Sequence, residues 1–145
     1  MMNTREKSPV LVTGASGFIG RHLVFRLIER GARVSCLVRA ASPADELRSA
    51  GARLIVGEAT DRASMDRALA ESQASVVYHL AGLVKAVWAG DFARVNASGT
   101  ASVAAACAGR AERPVLVVVS SLAAAGPCAI NHPHEESDAP APVSA

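Results

Sequence analysis

Short apolar runs alternate with longer segments of helical periodicity along the first 120 residues. The apolar runs are rich in valine, isoleucine and leucine and are four to seven residues long, which is typical of buried strands. They predict strands at residues 10–13, 32–38, 53–56, 75–79 and 114–120. The intervening segments predict helices at about 17–30, 42–49, 61–71 and 91–108. Gly31 occupies the C-cap position of the first helix, while Ser42 and Pro43 resemble an N-cap followed by a first helical residue.

This alternation predicts an α/β fold, because strands separated by helices form βαβ units with a parallel sheet. We expect a doubly wound, five-stranded Rossmann sheet in the order 3-2-1-4-5, with helices on both faces. The order reverses between strands one and four, and ligands bind at the carboxyl ends of strands beside such a switch point. The fifth run is the most continuously apolar, which is typical of a central strand.

Three glycines follow the first strand at a spacing of three residues, and an amphipathic segment follows them. Gly14 allows a tight turn, Gly17 lets the backbone approach a ligand, and Gly20 lets the helix pack closely on the strand. The start of that helix offers unpaired amides and a positive dipole end, which suit a pyrophosphate. An ordinary turn is the alternative. The residues expected to bind a dinucleotide here are Gly14, Ser16, Gly17, Phe18, Ile19 and Gly20.

Composition restricts the other possibilities. The 145 residues correspond to about one domain, and half of them are apolar, which is enough for a core. A net charge of +2 without a basic stripe gives no indication of nucleic-acid binding. The three cysteines, Cys36, Cys107 and Cys128, lack metal or redox spacing, so we expect no metal site. Cys36 lies in a predicted strand and Cys107 in a predicted helix, so we expect these two to be buried free thiols. Residues 1–8 do not resemble a secretory signal and no run is long enough to span a membrane, so we expect a cytoplasmic protein.

Five stretches, in order and at fitting intervals, carry a family resemblance. They are Thr13–Gly20, Leu37-Val38-Arg39, Gly57–Asp61, His79-Leu80-Ala81-Gly82, and Val119-Ser120-Ser121 followed by Gly126. The chain resembles the N-terminal portion of the extended short-chain dehydrogenase/reductase superfamily, which comprises NAD(P)-dependent epimerases and dehydratases and dihydroflavonol-reductase-like enzymes. The resemblance implies the cofactor-binding portion of an oxidoreductase or a sugar-nucleotide epimerase/dehydratase that acts by hydride transfer.

The residues after strands two and three bear on the choice of cofactor. NAD-binding folds place an acid at the end of strand two, but this sequence has Arg39 there and no acid before Asp45. A guanidinium can hold a 2′-phosphate with two charge-assisted bonds, so Arg39 favours NADP, with NAD as the alternative. A solvated arginine is the other interpretation. By resemblance, Glu58 and Ala59 contact the adenine, although a surface acid is equally compatible with Glu58.

The loop after strand four is expected to continue the site. The resemblance implies that the backbone of Leu80, Ala81 and Gly82 lines the cofactor. Lys85 could reach a phosphate or be solvated. Asn96, within the long predicted helix, is implied to contact the loops of strands four and five or the cofactor, and an exposed helix residue is the alternative. His79 is expected to be a packed strand-end residue.

The fifth strand and the tail concern catalysis. In similar enzymes a hydroxyl five residues before the glycine matching Gly126 bonds the reacting oxygen of the substrate, which selects Ser121, although strand-end serines often only cap backbone. The acid/base of such enzymes is the Tyr of a Tyr-x-x-x-Lys motif, which is absent, since the only tyrosine is Tyr78. The tail at 140–145 resembles the segment that precedes that motif. We therefore expect residues 1–145 to be a truncated NAD(P)-binding domain without turnover, its fifth strand left as an exposed apolar edge.

Two other functions remain open at this point. One is a dinucleotide-binding module without catalysis, serving as a redox sensor or regulator. The other is a degenerate chain that binds nothing and assembles with a partner. For an enzyme we expect a small-molecule substrate, a nucleotide sugar being one candidate, and a homodimer. The sequence does not name the substrate, because substrate contacts in such folds lie mainly in the C-terminal half.

Overall fold

Five parallel strands form the centre of the molecule in a computed structural model that describes residues 8–85 and 87–143. The expectations for residues 1–8 and 140–145 fall partly outside these ranges. The strands are β1 (Pro9–Thr13), β2 (Arg33–Val38), β3 (Arg53–Val56), β4 (Val76–His79) and β5 (Val115–Val118). They pair in the order β3-β2-β1-β4-β5. This confirms the predicted sheet and puts the switch point between β1 and β4.

The helices lie on both faces of the sheet, as predicted. They are α1 (Phe18–Glu29), α2 (Asp45–Ser49), α3 (Arg62–Ser72), α4 (Ala89–Phe92) and α5 (Gly99–Ala108), with a π-helical stretch, Ala93–Ser98, joining the last two. Alternate strand residues build two cores: Val10 and Val12 pack with α1 and α2, while Leu11 packs with α3 and α5. This alternation is the expected consequence of a pleated strand buried on both faces.

Helix α1 ends one residue earlier than predicted, with Arg30 at the C-cap and Gly31 directly after it, and the start of α2 also differs from its prediction. Gly31 has φ +81° and its amide donates to Ile28 O at 2.8 Å, which closes the helix. Helix α2 begins at Asp45 with Ala44 at the N-cap, so the placement of the cap at Ser42 was wrong. The reason is that the Ser42 amide donates to Arg39 O at 2.9 Å in a turn before the helix.

The predicted long helix at 91–108 and the predicted position of the fifth strand also need correction. The helix widens into the π-helical stretch around Asn96, a residue with low helix propensity. Strand β5 is an edge strand in the described chain rather than a central one, because it pairs only with β4 there. Its valines are exposed, Val115 by 63% and Val118 by 44%. An exposed apolar edge is thus present, as expected.

The two cysteines that were expected to be buried free thiols are so. Cys36 and Cys107 are buried and unpaired, and Cys128 is exposed. Burial raises the pKa of Cys36 to about 12 and raises that of Cys107, so both buried thiols stay protonated. Across residues 8–85 and 87–143 there is neither a helix with the length and apolarity to cross a bilayer nor a group of metal-ligating side chains.

Asp61 provides a test of helix capping in this fold. Its carboxylate accepts from the Ser64 hydroxyl at 2.6 Å and from the Ser64 and Ala63 amides at 3.0 and 3.2 Å. The bond from the Ser64 hydroxyl is the main cause that lowers the pKa of Asp61. Replacing Asp61 with alanine should lower the Tm by about 2–4 °C at neutral pH. Because a lowered pKa stabilises only the ionised form, this difference should fade as the pH falls below about 3.9.

Asp66→Ala is the matched control, because Asp66 lies on the same helix and forms only an exposed ion pair with Arg62 at 2.9 Å. Thermal unfolding followed by circular dichroism across pH measures both variants. Equal losses in the two variants, or an Asp61 effect that does not change with pH, would contradict the capping account.

Candidate functional site

A cavity of about 470 Å³ opens at the carboxyl ends of the strands beside the switch point. Predicted site residues from the four loops after β1, β2, β3 and β4 line it together: Gly14, Ser16, Gly17, Arg39, Glu58, Ala59, Leu80, Ala81 and Gly82. The other predicted residues do not line it, namely Phe18, Ile19, Gly20, Lys85, Asn96 and Ser121. The fold therefore brings most of the predicted site residues together around one cavity, and six of them lie outside it.

The glycine turn after β1 is a closely packed crossing of backbones. Gly14 has φ +70°, and a Cβ there would lie 2.6 Å from Ala81 N and from Leu80 C. A Cβ on Gly20 would overlap the carbonyl oxygen of Gly14. Gly20 thus lets the helix pack on the turn itself rather than on the strand. These two positions require glycine for space, and Gly14 also requires it for its backbone angle.

The start of α1 faces the cavity without a side-chain cap. Gly17 is the N-cap residue, no side chain bonds the free amides, and the first turn carries no acid. The amides of Phe18, Ile19 and Gly20 have no partner within the helix, since the first turn of any helix leaves them free. Phe18 is 82% exposed and does not line the cavity. Free amides and a positive dipole end fit the diphosphate of a dinucleotide.

Arg39 and Glu58 line the cavity in the loops that follow β2 and β3. The Gly57 amide donates to Val38 O at 2.9 Å, which ties the two strand ends together. Arg39 is exposed, and no ion pair among the described residues includes it. The exposed Glu58 carboxylate accepts from the Thr60 hydroxyl at 3.4 Å. The guanidinium of Arg39 is thus available to an anionic group in the cavity.

The loop after β4 is held from two sides. The Leu80 amide donates to Thr13 O at 3.1 Å, and the Ala81 amide donates to the Thr13 hydroxyl at 3.3 Å. Asn96 pairs with the backbone of Leu83, accepting from its amide at 2.7 Å and donating to its carbonyl at 3.0 Å. Asn96 therefore positions the loop, in agreement with the contact to the strand-four loop that the resemblance implied.

Several residues that line the cavity were not predicted from the sequence. Thr13 carried a signal, because a hydroxyl at a buried strand end directly before the glycine turn needs a partner. Asp91 and Arg94 form an ion pair at 3.0 Å on the cavity wall, but nothing in the sequence pattern placed them there. The other missed residues are Leu37, Val38, Ser42, Gly57, Thr60, Leu83 and Val95.

Ser121 and Lys85 lie outside the cavity. Ser121 is exposed, and its hydroxyl oxygen accepts from the Ala123 amide at 3.2 Å, capping a short 3₁₀ turn. This is the backbone-capping role that was the alternative to substrate binding. Lys85 is exposed as well. Their catalytic and phosphate-binding roles stay predictions.

A family comparison agrees with this geometry. The model of the NAD dependent epimerase/dehydratase family matches residues 10–145. The chain belongs to this family. The ceramide reductase of Caulobacter vibrioides is 40% identical over 131 residues, covering 90% of this chain and 40% of the relative. The human 3 beta-hydroxysteroid dehydrogenase type 7 is 31% identical over 147 residues, covering 97% of this chain and 40% of the relative.

Solved members of the epimerase/dehydratase family share the fold. The UDP-glucose 4-epimerase of Thermus thermophilus, in complex with NAD, matches with a TM-score of 0.82 and 30% identity, over 93% of this chain and 45% of that chain. The chain spans 40% of the length of both curated relatives above. The matched region carries the sheet, the glycine turn and the cavity described here.

The pairing of Asn96 with Leu83 can be tested directly. Asn96→Ala removes both hydrogen bonds, so we expect the free energy of unfolding to fall by about 1–3 kcal/mol. The Leu83 amide should also exchange with solvent faster, as measured by hydrogen-exchange NMR. The control is Ser98→Ala, an exposed position on the same π-helical stretch. Unchanged exchange at Leu83 in the Asn96 variant would show that another contact holds the loop.

Proposed function

We propose that residues 1–145 form the cofactor-binding domain of an NAD(P)-dependent oxidoreductase and that the preferred cofactor is NADP(H). The observation that carries this proposal is the cavity at the switch point, which combines the uncapped start of α1 with Arg39 at the end of β2. The first feature suits a diphosphate and the second suits a 2′-phosphate. The nicotinamide of such a cofactor supplies hydride chemistry.

Different residues of the chain bind different parts of the cofactor in this proposal. The amides at the start of α1 and the positive end of that helix bind the diphosphate, while Gly14 keeps the turn clear of side chains. Leu80, Ala81 and Gly82 present a smooth backbone wall, which Asn96 holds in place through Leu83. Arg39 takes the 2′-phosphate, and Glu58 and Ala59 line the adenine side.

Carbonyl reduction is the reaction we favour. Arg39 supports the phosphorylated cofactor, and the ceramide reductase and a ketoreductase of Stigmatella aurantiaca, at 36% identity, are both reductases by name. The second candidate is nucleotide-sugar epimerisation or dehydration with NAD, because solved neighbours carry UDP-glucose or NAD. In both cases the substrate is a small molecule, and we retain a cytoplasmic homodimer as part of the proposal.

The proton donor is proposed to lie outside these 145 residues. No Tyr-x-x-x-Lys occurs among them, and Tyr78 is half-buried within β4 against the core shared with α1 and α2. Ser121 is proposed to orient the substrate oxygen after releasing its bond to Ala123. A hydroxyl of this kind does not replace a general acid/base, which contributes about 10²–10⁴-fold.

The cofactor preference rests on Arg39 and is tested by reversing its charge. Arg39→Asp should weaken NADPH binding tenfold or more, because a charge-assisted bond contributes about 1.5–3 kcal/mol. NADH binding should be unchanged or stronger, since the new carboxylate can accept from ribose hydroxyls. Titrations followed by nicotinamide fluorescence measure both dissociation constants.

Arg33→Asp is the matched control. Arg33 is also exposed and lies at the opposite end of the same strand, so it reports the effect of the charge change alone. Equal losses for NADPH and NADH in the Arg39 variant, or an NADPH loss of the same size in the Arg33 variant, would reject the assignment.

A further inference from the structure

His79 is a buried, ionisable side chain to which the proposed function gives no role. It is the last residue of β4, it is only 2% exposed, and it directly precedes the cavity-lining segment Leu80–Gly82. Both ring nitrogens are bonded: Nδ1 lies 2.7 Å from the Thr13 hydroxyl and Nε2 lies 3.1 Å from the Thr100 hydroxyl. One imidazole therefore joins the ends of β1 and β4 to the first turn of α5.

The hydrogen bonds available to the Thr13 hydroxyl determine which ring nitrogen of His79 carries the proton. The Thr13 oxygen already accepts from the Ala81 amide at 3.3 Å, and an amide can only donate. Thr13 is fully buried, and within the described chain its hydroxyl has no partner besides Ala81 and His79. If Nδ1 carried the proton, the hydroxyl hydrogen would be left unpaired at a cost of about 1–3 kcal/mol. The hydroxyl must therefore donate to Nδ1.

It follows that His79 is the neutral Nε2–H tautomer, whose Nε2 donates to the Thr100 hydroxyl. Both partners of the ring are hydroxyls, and burial lowers the pKa of His79, so the ring remains neutral at neutral pH. The Thr13 hydrogen is then fixed towards Nδ1, and a lone pair of the same oxygen is fixed towards the Ala81 amide. This series of hydrogen bonds, from Ala81 through Thr13 and His79 to Thr100, therefore has a fixed donor and a fixed acceptor at each step.

This series ends at the backbone that lines the cavity. Leu80 and Ala81 lie against Gly14 with no space for a side-chain carbon between them. A small displacement of Ala81 would therefore also displace the glycine turn and the start of α1. We propose that His79 is a positioning residue for the dinucleotide, acting through Thr13 on the Ala81 amide. This inference rests on the proposed function, since it adds a residue to the same site.

The tautomer is measured on the unmodified chain without any cofactor. Nitrogen NMR of ¹⁵N-histidine-labelled protein distinguishes Nδ1–H, Nε2–H and doubly protonated rings, and the signals lost in His79→Asn identify His79. We expect the Nε2–H form at neutral pH. An Nδ1–H or doubly protonated ring would overturn the inference. The tautomer is read from the unmodified chain, and the variant serves only to assign its signals.

Two variants then separate positioning from simple packing. In His79→Asn the amide oxygen takes the place of Nδ1 and can accept from Thr13, whereas in His79→Gln the amide nitrogen takes the place of Nε2 and serves only Thr100. We expect NADPH binding to change less than about twofold in the Asn variant and to weaken about three- to tenfold in the Gln variant. Exchange of the Ala81 amide, measured without cofactor, should be accelerated only in the Gln variant.

Thr100→Val is the control, because it removes the partner of Nε2 and leaves the Thr13 side intact. It should bind NADPH like the unmodified chain. Equal effects of the Asn and Gln variants on Ala81 exchange would overturn the positioning role. Failure of the unmodified chain to bind NADPH would overturn the proposed function, while the tautomer and the exchange data would still decide the hydrogen-bond arrangement.

Discussion

The site depends on two stretches of backbone that cross at the switch point without space for a side chain between them. A Cβ at Gly14 would lie 2.6 Å from the backbone after β4, and one at Gly20 would overlap the Gly14 carbonyl. Close packing of this kind is rigid, so the start of α1 and the loop after β4 hold a fixed position relative to each other. A diphosphate needs that fixed arrangement of amides, because hydrogen bonds weaken steeply with poor geometry.

The sequence predicts the sheet and the glycine turn well, because both follow from local patterns. Valine-rich runs indicate strands, their alternation with helices indicates a parallel sheet, and Gly14 and Gly20 follow directly after the first strand. Arg39 could be assigned to the end of β2 for the same reason. Its preference for NADP(H) remains a prediction, since it depends on a charge interaction rather than on a pattern.

The parts that the sequence did not predict depend on local backbone geometry and on where the fold places a side chain. Asn96, whose contact with the strand-four loop the resemblance implied, lies in a π-helical stretch where periodicity suggested a regular helix. The amide of Ser42 bonds Arg39 instead of starting a helix. Arg94 reaches the cavity wall because the π-helical stretch runs along it. A turn closed by backbone atoms and a local change of helix type have no sequence period, so periodicity does not reveal them.

The central claim is that the cavity at the switch point binds a dinucleotide, and amide NMR of the ¹⁵N-labelled chain titrated with NADPH tests it most directly. The account predicts that the amides of Ser16, the first turn of α1 and Ala81 to Leu83 shift together with one dissociation constant. Adenosine 2′,5′-bisphosphate should shift those near Arg39 and fewer of those in α1. Shifts confined to other surfaces, or no saturable shift at all, would contradict the account.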